Sequence, residues 1–285
     1  MTAPHIFDRD LVRTRRQRAA AEFSDFSFLY DEVCARIAER MELIQRTFSR
    51  TLVLGARTGG MASELAGRFG IETLVQAESA EAMLRESDGL QVVADEEWLP
   101  FADEAFDLVV SPISLHTTND LPGALAQVRR ALKPDGLFLG AIFGIGTLAP
   151  LRDALLAAEA GLGIGSSPHV APFAEVRDAG ALLQRAGFAL PVADAEPITV
   201  TYENPMRLLA DLRGMGESNV LANRGRKGLR RDVLLTAVQQ LVGQTIPFEI
   251  VFMAGWAPDA AQQQPMAPGS GQVSLATVMG KSSSC

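Results

Sequence analysis

Apolar residues recur at helical spacing from Leu29 to Ile44 (Leu29, Val33, Ile37, Met41, Ile44), and the pattern then changes to short, nearly continuous apolar runs. The spacing predicts a helix leading into a strand at Leu52–Leu54. Strand and helix alternate after it. The expected elements are a helix over Met61–Phe69, a strand over Thr73–Gln76, a helix over Ala80–Arg85, and strands over Leu90–Val93 and Phe106–Val110. A helix over Leu121–Leu132 is stopped by Lys133-Pro134-Asp135-Gly136, and Leu137–Phe143 forms a fifth strand. Continuous apolar strands separated by helices indicate a parallel sheet covered on both faces.

Beyond Gly144 the rhythm changes. Helical stretches are expected at Thr147–Ala160, Phe173–Ala186, Pro205–Leu212 and Leu229–Leu241, with strands at Ile198–Tyr202 and Phe248–Gly255. The chain thus divides into an N-terminal helical segment (1–48), an α/β domain (49–256) carrying a helical cap at about 145–190 and 203–243, and a tail (257–285) rich in Gln, Pro, Gly and Ser, expected to be flexible.

Length and composition allow one large core: 285 residues with 47% hydrophobic content. The net charge of -8 argues against general nucleic-acid binding, which needs a basic face to displace phosphate counterions. Two cysteines, Cys34 and Cys285, give neither a disulfide framework nor a CxxC metal site, so a reducing compartment is expected. No apolar run approaches the roughly 18 residues of a membrane span, and the start MTAPHIFDRD lacks the apolar core of a signal peptide. The arginines at 9, 13, 15, 16 and 18 read as a solvated basic helix face, one able to dock an acidic partner or approach a membrane-bound complex peripherally.

The chemistry concentrates in Thr51–Gly60, TLVLGARTGG. An apolar strand breaks into a turn on Gly55 and Gly59, a helix follows, and Glu78 stands about twenty residues later at the end of the next apolar run. These residues resemble the class I S-adenosylmethionine (SAM) methyltransferases, whose first motif runs apolar, apolar, Asp, apolar, Gly, x, Gly, x, Gly. Ala94-Asp95-Glu96 with Leu99-Pro100-Phe101, Phe106-Asp107-Leu108-Val109 and Leu132-Lys133-Pro134-Asp135-Gly136 resemble the later motifs in order and spacing. The resemblance implies a Rossmann-like α/β fold, with a mostly parallel seven-stranded sheet and a helical cap inserted after the fifth strand. It also implies SAM as cofactor, held by Gly55, Ala56, Arg57, Gly59, Glu78, Ser79, Asp95, Glu96 and Ser111. Glu78 would accept the ribose hydroxyls and Asp95 the adenine amino group.

Two positions depart from the motif. Val53 stands where the family carries the acid that anchors the methionine ammonium, a charge-assisted bond worth about 1.5 to 3 kcal/mol. Arg57 replaces the middle glycine and brings a cation near the sulfonium, at a cost of roughly 2 kcal/mol unless its guanidinium turns to solvent or pairs with the methionine carboxylate. The expectation is weak binding of SAM, or binding of a relative of SAM instead.

A narrower resemblance covers nearly the whole chain. Ile6-Phe7-Asp8-Arg9, Ser114-Leu115-His116, Asn119-Asp120-Leu121-Pro122, Ser167-Pro168-His169, Gly214-Met215-Gly216-Glu217-Ser218-Asn219 and Val273-Ser274-Leu275 look like the mitochondrial complex I assembly factor that hydroxylates an arginine, and its bacterial relatives. It implies a protein substrate, an iron-sulfur subunit of respiratory complex I, and a site in the bacterial cytoplasm or the mitochondrial matrix. His116, Asp120 and His169 are the catalytic candidates, and Met215, Gly216, Glu217 and Asn219 form a substrate or cap loop. No metal triad is visible from the spacing of the three histidines. Conventional methyl transfer to a small or carrier-bound carboxylate, and non-catalytic assembly chaperoning, stand as the alternatives.

Overall fold

The computed structural model describes residues 5–225 and 228–262; the Val273-Ser274-Leu275 motif and most of the tail lie outside them. Seven strands form one sheet: β1 (Arg50–Leu54), β2 (Thr73–Glu78), β3 (Leu90–Val93), β4 (Phe106–Ser111), β5 (Leu132–Phe143), β6 (Ala189–Thr201) and β7 (Thr245–Trp256). Their spatial order is β3-β2-β1-β4-β5-β7-β6, with β7 antiparallel to both neighbours and the other pairings parallel. The order reverses at β1 and β4, so the loops after β1, β2, β3 and β4 open onto one crevice at the carboxyl ends of the strands.

The central strands are apolar throughout because both faces are covered. Leu52, Leu54, Val109, Phe138 and Ile142 pack against α5 (Leu121–Ala131) and α7 (Val176–Arg185). Val53, Leu108, Val110 and Leu139 point to the other side, against α2 (Phe28–Glu42), α3 (Gly60–Leu65), α4 (Glu81–Leu84), α6 (Ala149–Gly161), α8 (Pro205–Gly214) and α9 (Arg231–Leu241). The cap differs from expectation here. Helix α7, expected within it, packs on the sheet beside α5, and the cap is built of α6, α8 and α9.

Strand β6 also begins nine residues earlier than the expected Ile198. It is an edge strand whose residues alternate in exposure, with Pro191 and Pro197 tolerated there. Asp194 and Glu196 on it pair with Arg36 and Arg40 of α2. The N-terminal segment forms α1 (Arg9–Ala19), capped by Asp8, whose carboxylate accepts from Leu11 N at 3.0 Å.

Candidate functional site

Gly55 and Gly59 both take positive φ (76° and 92°), which turns the chain sharply out of β1 into α3. The Gly55 and Ala56 amides donate to Ala77 O, fixing the turn against the end of β2, and Tyr30 Oη donates to both the Gly55 and Ala56 carbonyls. The turn sits so close to the loop after β4 that a Cβ on Gly55 would lie 2.2 Å from Ser114 Cβ. Glu78 ends β2, Asp95 and Glu96 follow β3, and Ser111 ends β4, so the expected cofactor residues do converge on the crevice.

What meets them there was not legible in the sequence. Arg16 of α1 is only 1% exposed, and its Nη1 donates to Glu78 Oε1 at 3.1 Å and to Glu96 Oε1 at 2.7 Å. Arg9 donates to Asp95 Oδ1 at 2.7 Å and to Glu96 Oε2. The basic face of α1 is therefore not solvated throughout: Arg9, Val12, Arg16 and Ala19 share one stripe of the helix, facing inward. That stripe, with Val12 and Ala19 marking it at helical spacing, was the available signal for Arg9 and Arg16.

Glu78 is further engaged by Ser79 Oγ at 3.0 Å, the Ala80 amide at 3.2 Å and the Arg57 amide at 3.4 Å, and has no exposed surface. Burial pushes the Glu96 carboxyl up, but Arg16, Arg9 and the Ser114 hydroxyl outweigh it and hold the group well below the usual carboxylate range. Arg16 is raised despite its burial by Glu78, Glu96 and Glu217.

Arg57, at φ 49°, is buried rather than turned to solvent. Its Nη2 pairs with Glu217 Oε1 at 2.6 Å, and the other oxygen of Glu217 meets His116 Nε2 at 3.0 Å. Glu217 arrives there by a helix stop. Gly216 (φ 77°) follows the C-cap Met215 of α8, the Gly216 amide donates to Arg213 O, and the Glu217 amide donates to Leu212 O. This is the Schellman arrangement, and it aims the next side chain back across the helix end. Glu217 is pushed up by burial, yet His116, Arg57 and Arg16 hold it down to about 2.

The other candidates are placed differently. Asp120 caps α5, accepting from the Gly123 amide at 2.9 Å. His169 pairs with Glu159 at 2.7 Å, and Asn219 donates to Pro168 O and accepts from the Leu221 amide. His116, His169 and Glu217 nevertheless line one cavity of about 740 Å³ under the cap, walled by leucines of α6, α8 and α9 and bordered by Arg15, Arg213, Arg224 and Arg230. Asp120 is not among its lining residues. Among the described residues no three His, Cys, Asp or Glu side chains are grouped to hold a metal ion.

Several buried polar atoms in this network have no hydrogen-bond partner among the described residues: Arg16 Nε and Nη2, Arg57 Nη1, His116 Nδ1 and Ser111 Oγ. Carboxylates at the ends of β2 and β3, the glycine turn at the end of the neighbouring β1 and unpaired donors beside them form a set of groups that fits an adenosyl amino acid.

A methyltransferase-domain family model matches residues 52–140. The chain is 42% identical over 286 residues to the mitochondrial arginine-hydroxylase NDUFAF5 of Homo sapiens, covering 95% of this chain and 82% of that protein. It is 32% identical over 291 residues to a malonyl-[acyl-carrier protein] O-methyltransferase of Laribacter hongkongensis (strain HLHK9), covering 94% and 96% respectively. Among solved structures, the YcgJ protein from Bacillus subtilis superposes with a TM-score of 0.55 at 13% identity, covering 79% of this chain and 98% of that one, a likeness of fold.

Proposed function

The chain belongs to the methyltransferase-fold family that includes the arginine hydroxylase NDUFAF5, and from that premise we propose that it is an enzyme that binds SAM at the carboxyl ends of β1–β4 and hydroxylates an arginine of a respiratory complex I subunit, an iron-sulfur subunit, during assembly. The observation that carries the cofactor half is the convergence of Glu78, Asp95 and Glu96 on the Gly55–Gly59 turn, in a chain similar to its relatives almost from end to end.

Glu78 would hold the ribose, Asp95 and Glu96 the adenine side, and the Gly55–Gly59 turn with the start of α3 the amino-acid end. When bound, SAM supplies an activated methyl carbon and a cationic sulfur. Arg57 carries its own anion, Glu217, so the repulsion expected from it is largely compensated within the protein. Val53 is fully buried in the core on the α2 side, so the missing acid is not replaced from this position.

On the cap side, Glu217 fixes His116 through Nε2 and leaves Nδ1 to accept or donate a proton within the ring's buried surroundings, which include Phe143 and Phe173. His116, which lines the cavity, is our candidate for handling a proton on a substrate there.

One observation favours a second reading, methyl transfer to a carrier-bound carboxylate. Four arginines border the cavity; Arg224 pairs with Asp8 and Arg230 with Asp232, while the two lining carboxylates, Glu159 and Glu217, are themselves paired, which leaves Arg15 and Arg213 without an ion pair among the described residues. That charge balance suits an anion better than a guanidinium. Incubation with SAM and either a complex I iron-sulfur subunit or a malonyl-loaded carrier, followed by mass spectrometry, separates the readings. An oxygen increment on a subunit arginine supports hydroxylation, a methyl increment on the carrier supports the second reading, and no change in either substrate refutes both.

A further inference from the structure

The carboxylates expected to receive the cofactor and the carboxylates that anchor α1 are the same residues. Glu78 has no exposed surface, and Arg16, itself 1% exposed, lies directly on it. Three donors already converge on Glu78 Oε1, namely Arg16 Nη1, Ser79 Oγ and the Ala80 amide. Both oxygens of Glu96 are taken, by Arg16 and Ser114 on one side and by Arg9 on the other, and Asp95 Oδ1 is shared by Arg9 and the Glu97 amide. With Arg16 in place Glu78 Oε1 is fully engaged, and Oε2, which among the described residues accepts only the Arg57 amide at 3.4 Å, is buried beneath the same contacts.

We propose that α1 is a gate on the cofactor cleft, and that Arg9 and Arg16 are specificity residues which compete with the adenosine half of the ligand for Glu78, Glu96 and Asp95. The proposal rests on the reading of the crevice as a SAM site. Arg16 keeps Nε and Nη2 buried without partners among the described residues, so its docked geometry satisfies the carboxylates better than it satisfies the guanidinium. A ligand that brings two hydroxyls to Glu78 and an amino group to Asp95 replaces the arginine contacts of these two carboxylates and leaves Glu96 with Ser114.

The gate is tied to the cap. Phe7 and Leu221 form a bridge, the Asp8 amide donates to Val220 O, the Ala222 amide donates to Ile6 O, and Gly216 packs on the backbone of Arg16. Asn119 holds Phe7 by two bonds, Phe7 N to Asn119 Oδ1 at 2.8 Å and Asn119 Nδ2 to Phe7 O at 3.1 Å. Release of α1 therefore disturbs Gly216–Leu221, the segment that delivers Glu217 to His116. Cofactor entry and the arrangement of the cavity floor are coupled through it.

The test uses the full chain with S-adenosylhomocysteine, followed by calorimetry and by hydrogen exchange of the α1 amides. On addition of the ligand, wild-type protein should lose protection over residues 9–19. Arg9→Gln, which keeps Arg16 in the core, should bind the ligand roughly tenfold more tightly, the fold-change of one charge-assisted hydrogen bond removed from the competitor. Binding with unchanged or increased protection of α1, or unchanged or weaker binding by Arg9→Gln, would overturn the gate while leaving the cofactor reading intact. Absence of binding by wild type, Arg9→Gln and Arg16→Gln alike would overturn both. Because Arg16→Gln leaves two buried carboxylates short of a partner and is liable to unfold, the exchange measurement on the wild-type chain decides between the other outcomes.

Discussion

Replacing Glu217 by Gln removes the anion that Arg57 and His116 share while keeping the shape of the side chain. Glu217 is 13% exposed and is held at about 2 against an ordinary 4.5, so the ionised carboxylate contributes about 3 kcal/mol at neutral pH. The mutational route gives a similar figure. Arg57 is buried, and its other guanidinium contact is the Ile113 carbonyl at 3.4 Å, so removal of its ion-pair partner should cost roughly 3 to 5 kcal/mol. For a chain of this length about 1 kcal/mol corresponds to roughly 2 °C, so E217Q should melt about 5 to 10 °C below the wild type at pH 7. The sign with pH follows from the depressed value: the contribution is complete above the unfolded-state value near 4.5 and is lost as pH falls toward 2. Thermal melts of both proteins from pH 7 down to pH 3 should show the gap narrowing below about pH 4.5. A gap under 1 °C at pH 7, or one that widens on acidification, would refute the assignment of Glu217 as the ionised partner of Arg57.

Two further outcomes are expected. Gly55→Ala places a methyl group 2.2 Å from Ser114 Cβ at a φ of 76°, and should destabilise the fold by about 2 kcal/mol or more, read as a lower urea midpoint; an unchanged midpoint would show that the loop after β4 yields freely. Asp120→Ala should cost about 1 kcal/mol of stability through the lost cap of α5 and leave binding of S-adenosylhomocysteine within twofold, whereas a large change in affinity would restore Asp120 to the site.

The central strands were legible because burial on both faces makes them apolar without interruption, and the glycine turn after β1 announced the crevice. Other features were hidden for definite reasons. Strand β6 has an alternating, partly charged pattern because it is an edge, and its acids serve Arg36 and Arg40 rather than solvent alone. The periodicity of α7 marked a helix without saying which layer it joins, since an apolar stripe does not name its partner. Arg57 could be judged only against an absent ligand; its pairing with Glu217 spans 160 positions and depends on the helix stop at Gly216. Asp120 and His116 are near neighbours in sequence, yet one closes a helix end while the other turns into the cavity, a difference of backbone direction that residue type does not carry.

The two helices α8 and α9 enter and leave the sheet at a single rung of its outer ladder, where Thr201 stands opposite Thr245 and their hydroxyls are 3.2 Å apart. Everything between these threonines is, to the ladder, one long hairpin turn, and the entropy of closing a turn grows only with the logarithm of its length. Closure of the ladder therefore tolerates a change in the length of the insertion, as long as Leu208, Leu212, Val233, Ala237 and Leu241 keep their packing on the sheet. Chimeras joined at positions 201 and 245 become a practical way to exchange the cap between members of the family, provided that the incoming segment keeps the partner of Arg57 at position 217 and the contacts of Val220 and Leu221 with the N-terminal segment.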